Sequence, residues 1–190
     1  MGWIVKVGVG EYLTQAEMEN NATEFYAYFN NKGFTLESVA GMLGNIQQES
    51  TINSGIKQTE STSSGWGLIQ WTPSTNLTEY TTTHGSMWSS GKIQSQLIWD
   101  EIINGYAGQW IPKSEIGYGY TGKEFAELTD VDEACKAYLY ERERAGIEAL
   151  ANRLTYANNW YEFLKGVTPP VPPTPKKRTS MPIYMMLRRL

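Results

Sequence analysis

The 190-residue chain holds a single cysteine, Cys135, and a single histidine, His84. One thiol excludes an intrachain disulfide, and one imidazole excludes a His-rich or Cys-rich metal cluster. A Ser-His-Asp or Cys-His centre would have to recruit His84, which sits in the polar turn "TTTHGS" with no nucleophile motif beside it. Cys135 falls on an apolar helical stripe, the place of a small core residue. Also missing are a GKS or GKT loop, a His pair and an EF-hand string, so no metal or other cofactor is expected. If the chain is an enzyme, carboxylates are its acids and bases. No run reaches the roughly 20 apolar residues of a transmembrane helix. The opening "MGWIVKVGVG" is too short, and too poor in basic residues, for a signal peptide, and Lys6 stands where a myristoylation signal has Ser or Thr. The expectation is a protein made in a cytoplasm without a signal peptide.

Positive charge is scarce over most of the chain. Lys176, Lys177, Arg178, Arg188 and Arg189 all follow residue 175, which leaves 11 basic against 20 acidic residues, a net of −9, for the rest. A body that acidic is a poor partner for nucleic acid. Aromatics, by contrast, are plentiful at 13%, with seven Trp and twelve Tyr. They either fill the core or present flat apolar faces to sugar rings or bases. With 41% apolar and 19% charged residues, the composition is that of one soluble globular domain with an appendage.

Helix signals recur along the chain. Thr14 and Glu17 form a capping box ahead of Met18, Ala22, Phe25 and Phe29, and Gly33 closes that helix. A second helix opens at Thr35 with Leu36, Val39, Ala40, Leu43 and Ile46 on one face. Gly41 and Gly44 inside it cost about 1 kcal/mol each relative to Ala, which makes sense where another backbone or a ligand comes close. Residues 3–9 alternate as a strand does, and residues 50–76 read as a small hairpin or irregular sheet lobe around "GWGLIQW". Further helices are expected around Ile93 to Ile103, after the capping boxes Thr121/Glu124 and Asp130/Glu133, and from about Gly146 to Leu164. In the last, Ile147, Leu150, Ala151, Leu154, Tyr161 and Leu164 are expected to face the core. The long Gly- and Tyr-rich connection at 104–122 favours function over linkage. The expected organisation is a domain over 1–167, a stiff Pro-rich linker over 168–175 ("TPPVPPTP") and a basic, apolar-centred tail over 176–190.

Within this frame "GNIQQEST", residues 44–51, places a lone carboxylate, Glu49, in the last turn of the second helix at the edge of its apolar stripe. Apolar neighbours and the negative end of the helix dipole both favour a protonated carboxyl there, and a general acid must hold a proton to give. A solvated Glu at a helix end is the plain alternative. Gly65 and Gly67 let a backbone approach a ligand closely. Alternation in a regular strand sets Leu68 and Gln70 opposite Ile69 and Trp71. Gln70 can then bind sugar or position water, and Trp66 or Trp71 can stack on a pyranose face or pack in the core.

The stretch "GMLGNIQQESTIN", with "GWGLIQWTP" and later "LYERE" at 139–143, resembles the phage tail lysozyme family, the wall-drilling muramidase domain of tail-tip and tail-knob proteins. The match spans roughly residues 11 to 165. The resemblance implies an α+β, lysozyme-like fold, mostly helical with a small β-hairpin lobe and a cleft between lobes. It implies a peptidoglycan muramidase that cuts the β-1,4 bond between N-acetylmuramic acid and N-acetylglucosamine, either tail-associated or an endolysin. Glu49 takes the place of the family's acid, with Ser50 and Tyr140 in or beside the cleft. The chain departs from the family at Glu143, where the resemblance leads one to expect proline. A glycosidase ordinarily needs a second carboxyl, and Glu60, in the polar loop eleven residues on, is the candidate; a solvated loop residue is the alternative. Without it, a one-acid mechanism and an anhydro product become the better reading, that of a lytic transglycosylase. A glycan-binding module and a tail adaptor working through residues 168–190 are the non-catalytic alternatives. The expected partners are bacterial peptidoglycan and, through that tail, phage tail proteins.

Overall fold

The computed structural model describes residues 2–112, 118–144 and 149–168. The expected tail, and all but the first residue of the Pro-rich linker, lie outside that range.

Helices begin where their caps predict. α1 (Gln15–Asn30) starts on the complete Thr14/Glu17 capping box and buries Met18, Ala22, Phe25 and Phe29. α2 (Leu36–Ser50) starts on Thr35, whose hydroxyl accepts from the Ser38 amide. α4 (Gly91–Ile103), α5 (Gly122–Ala126), α6 (Val131–Tyr138) and α7 (Leu150–Lys165) follow the expected segments, α5 with the complete Thr121/Glu124 box. At α6 only half the box forms: Asp130 accepts from the Glu133 amide, while the Glu133 carboxylate takes the Tyr120 hydroxyl. A short helix that no periodicity announced, α3 (Thr75–Thr83), buries Leu77, Tyr80 and Thr81.

α2 is the central helix, packed against α6 and α7. Its two glycines are where the neighbours come closest. A Cβ on Gly41 would stand 2.6 Å from the Cys135 nitrogen of α6, and one on Gly44 would stand 2.5 Å from the Arg153 carbonyl of α7. Cys135 is itself fully buried at this contact. The buried face of α7 keeps Leu164 of the expected set and otherwise differs: it carries Arg153, Ala157 and Trp160, while Leu150, Leu154 and Tyr161 stay half-exposed and Ala151 is exposed; the expected start at Gly146 and Ile147 lie outside the described residues. Polar partners on α2 turn it this way, since Arg153 reaches Asn45 and Glu49 and the Trp160 indole donates to Gln47 at 2.8 Å.

The sheet lobe is smaller than the alternation implied. Among the described residues the only paired strands are β1 (Gly8–Val9) and β2 (Ile56–Lys57), which run parallel, with single antiparallel bridges from Lys57 to Trp66 and from Trp66 to Trp71. Side-chain amides hold the rest of the N-terminal segment: Asn21 bonds both backbone groups of Ile4, and Asn53 both of Lys6. "GWGLIQW" is a tight turn instead of a strand. Trp66 and Trp71 exchange both backbone bonds around it, and Gly67 (φ +79) and Gln70 (φ +51) take left-handed conformations. Leu68 and Ile69 are therefore both buried, where a regular strand would have separated them. Gln94 of α4 binds this lobe to the helices, accepting from the Leu68 amide and donating to the Ser54 and Trp88 carbonyls.

Candidate active site

The chain turns away from α2 through two consecutive non-glycine residues in the left-handed region, Thr51 (φ 52) and Ile52 (φ 56). Such backbone is costly for a β-branched residue and persists only where its surroundings impose it. Here the Leu13 amide donates to the Thr51 hydroxyl, and Ile52 is fully buried. The turn leaves Glu49, one residue before the end of α2, open to a groove between the helices and the sheet lobe.

Two cavities form that groove. One, of about 610 Å³, is lined by residues that include Glu49, Gln70, Trp71, Gln109, Arg142 and Glu143. The other, of about 490 Å³, runs past Tyr12, Ile56 and Lys57. Glu49, Gln58, Gln70 and Thr72 line both, so Glu49 stands at their junction.

The floor of the larger cavity is ionic. "LYERE" forms a π-helical turn, Leu139–Glu143, closed by the Arg144 amide donating to the Leu139 carbonyl at 2.7 Å. Single π turns of this kind are frequent at functional sites. Arg142, buried, donates through Nε to Glu101 Oε2 at 2.8 Å, and Glu101 Oε1 accepts the Trp71 indole at 2.9 Å. Behind Glu49 lies Arg153, only 1% exposed, whose Nη2 meets Glu49 Oε1 at 2.5 Å while Nη1 donates to Asn45 Oδ1 at 3.1 Å. Where the helix pattern placed apolar neighbours beside Glu49, the structure places a guanidinium.

Glu143 faces the same cavity with Oε1 buried and without a hydrogen-bond partner among the described residues. Burial, and then the charge of Glu49, push its pKa up to about 8. The phenol of Tyr138, buried behind it and equally unpartnered, is raised well above its ordinary value, first by burial and then by Glu143.

The other residues singled out from sequence divide. Gln70 lines both cavities, its amide donating to the Gly67 carbonyl at 2.9 Å. Trp71 reaches the larger cavity but is 3% exposed and fixed through its indole to Glu101, so it is wall and not stacking platform. Trp66 lines neither cavity; it packs on Trp88 with ring centroids 5.0 Å apart and carries the Lys57 ammonium over its face. Gly67 lies against the Gln94 amide, and buried Ser50 bonds back to the Ile46 carbonyl at 3.0 Å. Tyr140 stacks on Tyr118, centroids 5.6 Å apart, outside both cavities. Glu60 stands on an exposed loop, its side chain 72% accessible, paired with Lys57 at 2.6 Å. It lines neither cavity, although its partner Lys57 lines the second. His84 stacks on Tyr80, away from the groove.

Sequence reasoning passed over Arg153 and the exposed Tyr12, and met Arg142 and Glu143 only within "LYERE", the motif of the resemblance, without a chemical role for either. For Arg153 a signal existed: residues 153, 157, 160 and 164 share one helical face, so the cation sat on an otherwise apolar stripe. For Arg142 and Glu143 the π turn shifts the register, and the helical period points the wrong way.

A family model described as phage tail lysozyme matches residues 20–164 of the chain. Morphogenesis protein 1 of Bacillus phage B103 is 35% identical to it over 159 residues, which are 82% of this chain and 42% of that protein. The chain thus spans about two fifths of that relative's length.

Proposed function

The chain belongs to the phage tail lysozyme family, and from that premise we propose that it is a peptidoglycan muramidase, cutting the β-1,4 bond between N-acetylmuramic acid and N-acetylglucosamine. The observation that carries this reading is the place of Glu49 at the junction of two contiguous cavities. An enzyme that cuts within a polymer needs a carboxyl at the bond and room for sugars on both sides of it. The lining suits that ligand. Gln58, Gln70, Thr72, Asn76 and Gln109 offer amides and a hydroxyl to sugar hydroxyl and N-acetyl groups, and the 64% exposed Tyr12 offers an aromatic face beside the second cavity.

The test is digestion of purified peptidoglycan with identification of the new sugar ends. A reducing-end muramic acid is the expected product, and Glu49→Gln abolishes its release without loss of folding. A glycan-binding module would survive that substitution with its affinity intact and release nothing in either form. One observation favours the second reading, a lytic transglycosylase acting at the same bond: Glu60 lines neither cavity. That enzyme would leave a 1,6-anhydro end.

The relative's name, a morphogenesis protein, favours a virion-borne enzyme over a free lysin. In that case residues 168–190 connect the catalytic domain to phage tail proteins, and the chain is found in purified virions.

A further inference from the structure

We infer that the outer edge of the N-terminal extended segment, Val5 to Val9, binds the peptide that substitutes muramic acid, so that the cleft takes peptide-bearing glycan in preference to the bare polysaccharide. The inference rests on the muramidase reading and adds to it the part of the substrate that lies outside the two cavities.

The segment is held from one side. Asn53 bonds the N–H and C=O of Lys6, and the Gly8 and Gly10 amides donate to the Gly55 and Lys57 carbonyls at 3.1 and 3.3 Å. Neighbouring residues of an extended chain turn their backbone groups to opposite edges, so Val5, Val7 and Val9 turn theirs outward. Among the described residues no hydrogen bond meets the N–H or C=O of Val5 or Val7. Such a row of amides is a template for another extended chain, and edges that must stay single are blunted by charge, by proline or by a covering element. Here neither charge nor proline interrupts the outward row. Of the seven exposed large apolar residues of the described chain, Val5, Val7, Val9 and Tyr12 lie on this one stretch, so the apolar surface left to solvent gathers along this edge.

The position of the edge names its occupant. Val9, Gly10 and Tyr12 line the second cavity, which Glu49 also lines, so the edge begins beside the sugar site and leads away from it through Val7 to Val5. Four residues of extended chain cover about 13 Å, within reach of a short peptide. Muramic acid is the wall sugar that carries a peptide, on its lactyl group, and a muramyl unit in the second cavity delivers that peptide to Val9 at high effective concentration. The N–H and C=O groups of Val9 and Val7 then bond the peptide's amides, as in strand addition to other sheet edges. A second copy of the chain paired on the same edge would lie across Val9 and Gly10, at the mouth of the cavity, and keep glycan out.

Two measurements on the full chain test this. In the first, kcat/KM is compared on peptidoglycan with its peptides intact and on the same glycan freed of them by an amidase. The wild type is expected to prefer the intact polymer. Val7→Pro removes one outward N–H and is expected to lower that preference about 3- to 10-fold, through KM, whereas Val7→Thr, which keeps the amide, retains it. In the second, the backbone amides of the wild type are followed by NMR as a soluble muramyl disaccharide is added with and without its peptide. With the peptide, the Val7 and Val9 signals shift and their exchange with solvent slows; without it, Val7 stays as in the free protein. Equal kcat/KM on the two polymers overturns the proposal, as does a Val7 amide that ignores the peptide. So does a chain that dimerises in analytical ultracentrifugation with its Val7 amide already protected, because the edge then belongs to a second copy. If the wild type digests neither polymer, the muramidase reading fails, and the titration still decides whether the edge takes the peptide.

Discussion

Arg153 crosses 104 positions of sequence to reach Glu49, and it comes to that contact almost wholly buried. Removing one partner of a buried ion pair leaves the other uncompensated, which typically costs 3–5 kcal/mol. Glu49 keeps part of its surface in solvent, so the lower end applies: Arg153→Met is expected to lose about 3 kcal/mol in urea unfolding. Arg153→Lys keeps the charge but not the fork that holds Asn45 and Glu49 together, and should lose turnover more than stability. Glu143 makes a second prediction through linkage. Its folded-state pKa of about 8 lies above the ordinary 4.5, so across that window the native state binds more protons than the unfolded one. Stability therefore falls as pH rises from about 4.5 to about 8 and levels off above it, and in Glu143→Gln that decline is absent; Tm against pH in the two proteins decides it. Glu60→Gln, on an exposed loop, should leave both turnover and Tm unchanged.

Between elements, contact at the two glycines of α2 sets how closely α6 and α7 can seat. Gly44→Ala forces its Cβ into the α7 backbone and should destabilise by about 1–3 kcal/mol. It should also reduce turnover, because Arg153 is carried on the displaced helix; chemical denaturation together with the peptidoglycan assay checks both effects. The local signals for these helices were legible. Thr14, Thr35 and Thr121 cap where a hydroxyl three residues ahead of its amide partner says they should. The strands were less so. Alternation over residues 3–9 marks an extended chain, but whether another strand or a pair of asparagine side chains satisfies its backbone depends on residues 21 and 53. The turn at 66–71 escaped for a similar reason, since Gln70 takes a left-handed conformation that no glycine advertised.

Over the whole molecule charge is the relevant quantity. Before residue 176 the chain carries a net −9, which repels anionic wall polymers at low ionic strength and much less near 0.15 M, where the Debye length is about 8 Å. Digestion of walls that keep those polymers should accelerate between low and physiological salt, while purified peptidoglycan should show little change. No helix among the described residues is long and apolar enough to cross a membrane. Every residue named in the lining of the groove precedes residue 169, so removal of residues 169–190 should leave wall digestion intact; an assay of the truncated chain on purified peptidoglycan checks this.

The sequence by itself determined the helices, their starts, the close-packed glycines of α2 and Glu49 at the end of that helix, because caps, periodicity and missing side chains are local and written in neighbouring residues. The family was legible too, in motifs that lie within a few residues of one another. Only the tertiary structure decided the electrostatics of the cleft. Glu60 and Glu143 are both glutamates in polar stretches, and nothing local tells them apart. Folding gives one of them solvent and Lys57, and gives the other a buried oxygen facing Glu49. A carboxyl's chemistry follows from the charges and the solvent around it, and those are brought by α2, α4, α6 and α7 from the length of the chain.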